Sequence, residues 1–366
     1  MIDKMNFNYD AVIMLTFSIW KKEARSNRYH YATRFSNLCP VYFFQFDLKF
    51  RDNYFEKIKN SNIIIVHCNK KYIVSNNQHK LFNILKKIKT KKPLLWIYNY
   101  LLDHIIKNFK SDMKIFHATE DFFCSDLFFK PPNIDKLKKV LHNIDLLVSC
   151  SEGVNSSYIK NGYVGESMIL TNGVDFDFYA PKTMDVKQVI QNRKNNIIFY
   201  QGGINDRLNM KLLYDLICKL SDMEFHFFGR SIFNNLENKK IWKSFFKFKN
   251  FKYHKFKSVE KLRDFGYQAT MGIMPFAKTK YTVESAFPLK SFEYLACGLP
   301  VVSIEINSLK KFENLFFFAN NANEFEKQIL IARTKSKNYD SFVEKINFAK
   351  KMDYNSSFSK LISSLN

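Results

Sequence analysis

The segment FPLKSFEYLACGLPVVS, Phe287 to Ser303, reads as a helix followed by a strand. Pro288 suits the first turn of a helix, Gly298 and Pro300 close it, and PVVSI continues as a β-rich apolar run. Lys290 and Glu293 stand three apart, so they share one face near the helix start. Free backbone N–H groups and the positive dipole end favour an anion there. A cation and bare amides for a diphosphate, with a carboxylate one turn later for a ribose diol, make a nucleotide-diphosphate site that needs no metal. The same spacing also fits an exposed helical ion pair worth about 0.3 kcal/mol.

Outward from this segment, short apolar runs alternate with stretches of helical period. The first series is 11–18, 41–47, 63–68, 94–99, 114–119, 145–150 and 167–172; the second is 196–202, 224–229, 251–254, 269–276, 300–305 and 315–319. Such runs separated by helices indicate parallel sheets buried on both faces. The expectation is an α/β protein with two Rossmann-like domains, 1–175 and 176–340, and a helical tail, 341–366, packing back on the first domain. A chain of 366 residues exceeds what one core comfortably supports. Ligands of such sheets bind outside the carboxyl ends of the strands, so the strand-to-helix junctions should carry the chemistry.

Composition removes several function classes. All ten glycines lie at or after Gly153, so the first 152 residues hold neither a GxGxxG fingerprint nor a GxxxxGK[ST] loop. The six cysteines show no CxxC and no short Cys/His spacing, which argues against a disulfide framework or a zinc site and for buried thiols in a reducing cytoplasm. No apolar run approaches the roughly 18 to 20 residues that span a bilayer, and MIDKMNFNYD lacks the features of a signal peptide.

The net charge is +23, unevenly spread. Residues 57–102 contain ten lysines and no acid, and 79–93 reads as an amphipathic basic helix with Leu81, Phe82, Ile84, Leu85 and Ile88 opposite Lys80, Lys86, Lys87, Lys89, Lys91 and Lys92. A second segment, 239–257, mixes eight lysines with six Phe or Trp side chains. Both suit an anionic membrane surface. Nucleic acid competes as a polyanion but is the weaker candidate, and solvated lysines from a biased composition remain a third reading.

PLKSFEYLACGLPVVS is similar to the donor-site segment of GT-B glycosyltransferases, particularly the group-1 type and relatives such as the xanthan glucuronosyltransferase. TNGVDFDFYAP resembles their interdomain segment, FYQGGINDRLNMKLL the first strand-loop-helix of the donor domain, and TFSIWKKEARSNRYHYATRFSNLCPVYFF that of the acceptor domain. The resemblance spans nearly the whole chain; only 287–303 is specific. It implies that Glu293 binds the ribose hydroxyls, that Lys290 contacts the donor diphosphate, that Gly202 and Gly203 admit the backbone to the phosphates, and that Arg207 is a second cation. A turn glycine at Gly203 and a surface Arg207 are the plain alternatives.

Retaining members of the group-1 type often carry two glutamates eight positions apart; here that position is Ser285, with Glu284 one residue off. This departure favours inversion by a base in the N-terminal domain. HATEDFF, 117–123, places His117, Glu120 and Asp121 at a strand's carboxyl end, matching an acidic cluster of the relatives. Asp121 also fits a helix N-cap and His117 a core histidine. The loop after the first strand offers Trp20, Glu23, Arg28 and His30, with Trp20, Arg28 and His30 as acceptor contacts.

With the residues' own reading of a site that needs no metal, the resemblance implies a cofactor-free enzyme in which a sugar passes, with inversion, from a nucleotide-diphosphate donor, UDP-linked, to a bacterial surface polysaccharide or lipid-linked glycan. Donor and acceptor would meet in a cleft between the domains, at the cytoplasmic face of the cell membrane, with the protein peripherally attached. A GT-B nucleotide-sugar epimerase and a non-catalytic GT-B-like basic scaffold are the alternatives.

Overall fold

A computed structural model describes residues 7–22, 25–124, 131–181 and 186–365, so the candidate Glu23 lies outside the described residues. The chain forms two compact units, Met1–Thr171 with Asn355–Asn366 and Asn172–Tyr354.

Among the described residues, unit 1 is built on eight strands: β1 (Ala11–Leu15), β2 (Val41–Asp47), β3 (Tyr54–Lys57), β4 (Ile63–Asn69), β5 (Pro93–Ile97), β6 (Met113–Ala118), β7 (Leu146–Ser149) and β8 (Glu166–Ile169). Their order is β3-β4-β2-β1-β5-β6-β7-β8, and all pairs but β3–β4 are parallel. Every residue of β1 and β5 is buried, as continuous apolar strands covered on both faces must be. The chain leaves β1 toward β2 on one side and returns to β5 on the other, which makes β1/β5 the switch point of the sheet.

The antiparallel β3 is absent from the sequence reading because YFEK is short, partly charged and mostly exposed. Cross-strand chemistry holds it: the Tyr54 ring stacks on His67 at 4.0 Å, and Glu56 Oε2 lies 2.8 Å from His67 Nε2.

Unit 2 carries β9 (Ile197–Gln201), β10 (Glu224–Phe228), β11 (Phe251–Tyr253), β12 (Met271–Met274), β13 (Val301–Ser303) and β14 (Phe316–Phe318). The order β11-β10-β9-β12-β13-β14 is wholly parallel, with its switch point at β9/β12. The helix Tyr339–Lys351, which a tail beginning at 341 would have claimed, belongs to unit 2, where Phe348 packs on Phe292 with ring centres 6.1 Å apart. The helix Tyr354–Ser364 closes unit 1: Phe358 meets Phe35 at 5.0 Å, and Arg34 Nε donates to Asn355 Oδ1 at 2.9 Å.

Three expectations need correction. The basic helix expected over 79–93 covers only His79–Leu85, because the chain turns through Lys86–Ile88 and Pro93 opens β5. Its apolar residues Leu81, Ile84, Leu85 and Ile88 are buried in the core of unit 1, so they offer nothing to a bilayer, while Lys80, Lys86, Lys87, Lys89, Lys91 and Lys92 are exposed. In 239–257, Trp242, Phe245 and Phe251 belong to the core of unit 2, leaving Phe246 and Phe256 exposed. Among the cysteines, Cys218 is exposed and Cys124 partly so, while Cys39, Cys68, Cys150 and Cys297 are buried.

Candidate active site

In unit 2 the carboxyl end of β9 meets the helix Lys290–Ala296, which follows Pro288 and stops before Gly298. Gly202 has φ +129°, and Gly229, at the end of β10, has φ +148°. A Cβ on Gly229 would stand 1.8 Å from the Gly202 carbonyl oxygen, and one on Gly202 would stand 2.7 Å from Lys290 Nζ. Glycine at both positions therefore lets two backbone turns and a lysine share one small volume. The Gly202 N–H donates to Phe228 O at 3.0 Å, sewing β9 to β10 at this edge.

Lys290 Nζ donates to Tyr200 Oη at 3.0 Å and lies over the Tyr200 and Phe276 rings at 4.2 and 5.1 Å. Tyr200 in turn donates to Gly203 O at 2.7 Å, which fixes the turn that carries Gly202 and Gly203. Glu293 accepts from Gln201 Nε2 at 2.5 Å and from the Tyr179 side chain. The exposed ion pair that the i, i+3 spacing also allowed is not formed; each member has a separate polar partner.

Burial pushes Lys290 down to about 7, with Glu293 opposing the shift and Arg207 adding to it. Burial likewise raises Glu293 to about 7, against the hydrogen bond from Tyr179, the Lys290 charge and the bond from Gln201. Arg207 is exposed, its guanidinium 5.7 Å from the Tyr281 ring centre, and its carbonyl accepts from the Ala277 N–H at 2.8 Å. Tyr281–Ser285 forms a π-turn just before the helix, a feature common at functional sites. The structure thus brings Gly202, Gly203, Lys290 and Glu293 together with Arg207 near enough to act on Lys290. Sequence reasoning missed Tyr179, Tyr200, Gln201 and Gly229; for Gly229 the signal was present, a lone glycine ending the apolar run EFHFFG.

In unit 1 the three candidate bases occupy different environments. His117 is 2% exposed, ringed by Tyr31, Trp96 and Tyr98, with Nδ1 3.1 Å from Tyr98 Oη. Burial and then the Arg28 charge push it down to about 3, so it is a neutral core histidine across the physiological range. Asp121 is 4% exposed and accepts from Phe123 N at 3.0 Å and Ser157 Oγ at 2.9 Å, which pins the turn after β6. Glu120 is half-buried at the same strand end, its carbonyl accepting from Tyr158 Oη at 3.3 Å.

Of the residues expected to contact an acceptor, Trp20 stacks on Tyr29 at 5.4 Å and meets Phe43 edge-on at 5.1 Å, while its backbone N–H donates to Gln45 Oε1 at 2.7 Å. His30 is buried, with Nδ1 3.4 Å from Arg34 Nη1, and burial with the Arg34 and Arg25 charges holds it well below the usual imidazole value. Arg28 is half-buried and reaches Thr119, the residue before Glu120, at 3.4 Å. Among the described residues, no group of three or more His, Cys, Asp or Glu side chains is arranged to hold a metal ion.

No protein-family profile matches the chain. A Bacillus subtilis (strain 168) protein described as the teichuronic acid biosynthesis glycosyltransferase TuaH is 23% identical over 183 residues, 49% of this chain and 45% of that one. The alignment thus spans about half of either protein. Among solved structures, sucrose-phosphate synthase from Thermosynechococcus elongatus superposes with a TM-score of 0.76 at 13% identity, covering 97% of this chain and 99% of its own. HepE of Anabaena, in complex with UDP and glucose, gives 0.69 at 12% identity over 98% and 99%. The fold is GT-B, with two Rossmann-like units of parallel-dominated sheet.

Proposed function

We propose that the chain is a glycosyltransferase that takes a sugar from a nucleoside-diphosphate donor, UDP-linked, and extends a bacterial surface polysaccharide or a lipid-linked glycan. The observation that carries this reading is the placement of Lys290 and Glu293 on one helix face against the Gly202 turn. A diphosphate entering beside Gly202 meets the Lys290 ammonium where the low dielectric strengthens its attraction. The Glu293 carboxylate stands one helical turn on to accept ribose hydroxyls. Lys290 and Arg207 supply the positive charge that stabilises the leaving diphosphate, so the reading needs no metal and no cofactor. The GT-B fold, the UDP complex of HepE and the partial likeness to TuaH support the donor class and the polysaccharide setting.

On the acceptor side Glu120 is the base of this reading, because a half-buried carboxylate at a strand end can reach a substrate hydroxyl, whereas His117 is enclosed and Asp121 is spent on the turn. Deprotonation of the acceptor by Glu120 corresponds to inversion at the anomeric carbon. No described helix is long and apolar enough to cross a membrane. Attachment to the cytoplasmic membrane face therefore rests, in this reading, on the exposed lysines of 80–92 rather than on an inserted apolar face.

Release of nucleoside diphosphate across a panel of nucleotide sugars tests the proposal. Release from UDP-sugars that rises with a glycan acceptor is the expected result; no release from any donor would point to a non-catalytic scaffold, and interconversion of the sugar without transfer to an epimerase.

A further inference from the structure

Arg28 occupies the second position of the helix Asn27–Phe35 in unit 1. Its guanidinium is held by two long bonds, Nη2 to Thr119 Oγ1 at 3.4 Å and Nη1 to Ser26 Oγ at 3.5 Å, and by the face of Tyr98, whose ring centre is 5.0 Å from Cζ. Its Nε is out of contact with water and has no acceptor. Among the described residues no carboxylate lies within ion-pair distance of it.

This is an expensive arrangement for its own sake. A buried N–H left without an acceptor costs about 1 to 3 kcal/mol, and a half-buried cation usually finds a carboxylate. Stacking on Tyr98 fixes the guanidinium plane, which removes in advance much of the rotamer entropy that capturing a ligand would cost. Ser26, at the N-cap, makes no capping bond to a backbone N–H, its hydroxyl accepting from the Arg28 guanidinium, so the positive end of the helix adds to the field at the same point. Thr119, one of the two anchors, immediately precedes Glu120, which places this unanswered charge beside the proposed base.

We propose that Arg28 is an oxyanion subsite for the acceptor, so that the sugar or lipid accepting the transfer carries a carboxylate or a phosphate. The inference rests on the glycosyltransferase reading for the word acceptor, but the anion site itself is independent of it. A planar guanidinium matches both oxyanions, in each case through paired charge-assisted hydrogen bonds. A uronic acid supplies the first and a sugar phosphate or lipid-linked phosphate the second.

The test is calorimetric titration of the full chain, saturated with UDP so that the donor phosphate contacts are filled, with inorganic phosphate and separately with glucuronate. The wild-type protein should bind at least one of them with Kd on the order of 1 mM, the range open to a single small anion. Arg28→Gln should weaken that binding by about tenfold or more, and Thr119→Val, which removes only an anchoring hydroxyl, by about threefold. Phosphate alone binding identifies a phosphorylated acceptor; glucuronate alone, a uronate. If neither anion binds, or if binding is indifferent to both substitutions, the subsite is refuted and Arg28 is a packing residue. Absence of UDP binding in the same experiment would instead overturn the donor site and leave the anion result to be read separately.

Discussion

Lys290 Nζ rests 3.0 Å from the Tyr200 hydroxyl and 4.2 Å from the centre of its ring, so the lysine nearest the glycine turn is paired with a phenol and not with a carboxylate. A phenol solvates the ammonium without neutralising it. The charge stays available to a diphosphate, at the cost of a pKa held near neutrality.

That placement fixes a pH dependence. Burial lowers Lys290 to about 7 and raises Glu293 to about 7. A bound diphosphate favours the protonated lysine, so above this point binding takes up a proton and affinity falls as pH rises. A ribose hydroxyl donating to Glu293 favours the carboxylate, so below it binding releases a proton and affinity falls as pH drops. UDP affinity should therefore peak near neutrality, with proton uptake above and release below, measurable by calorimetry in buffers of different ionisation enthalpy. A flat profile would contradict it. Lys290→Ala should also slow turnover by about 10² or more, the scale of one charge-stabilising donor; wild-type turnover would remove Lys290 from the leaving-group site.

Gly229→Ala should unfold unit 2 more easily. The added methyl would lie 1.8 Å from the Gly202 carbonyl oxygen at a φ of +148°, so two turns must separate. Strain of this kind costs about 1 to 3 kcal/mol and should lower both the thermal midpoint and UDP affinity. Equal midpoints for variant and wild type would mean that the two turns are not packed as described.

Glu120→Gln keeps the shape and removes the basicity, so turnover should fall by about 10² to 10⁴ with UDP affinity within error. Asp121→Asn should instead act through the turn that Asp121 holds with Phe123 and Ser157, lowering stability by about 1 kcal/mol. Kinetics on both variants decide the assignment: if Asp121→Asn abolishes turnover and Glu120→Gln does not, the base is misplaced by one residue.

Neutralising Lys86, Lys87, Lys89, Lys91 and Lys92 together should reduce sedimentation with anionic vesicles and leave activity on a short soluble acceptor nearly intact. Because the apolar side of this segment is buried, the interaction is electrostatic and should vanish with salt as the Debye length shrinks from roughly 8 Å at physiological strength. Vesicle binding that persists at high salt without these lysines would return them to the status of a solvated surface.

The parts of this protein that the sequence displayed are those set by local periodicity and punctuation. Continuous apolar runs locate thirteen of the fourteen strands among the described residues, and Pro288 and Gly298 bracket the helix that carries Lys290 and Glu293. What stayed hidden depends on partners far along the chain. Gln201 reaches Glu293 across 92 positions and Tyr200 reaches Lys290 across 90, through strand-to-helix packing that no short-range pattern encodes. The lysine run at 79–93 shows the converse error. Its alternation of apolar and basic residues is visible in the sequence, but helical period alone cannot reveal that the apolar side packs into the core of its own unit, that β5 begins at Pro93 or that Ile88 is already turning inward.

The central claim is that Lys290 and Glu293 form a nucleotide-diphosphate site. Calorimetric titration of UDP into wild type and Glu293→Ala at neutral pH tests it most directly. The account expects wild type to bind and the variant to lose about 1.5 to 3 kcal/mol, the value of hydrogen bonds to a charged group. Wild type that does not bind UDP, or a variant that binds it as well as wild type, would contradict the account.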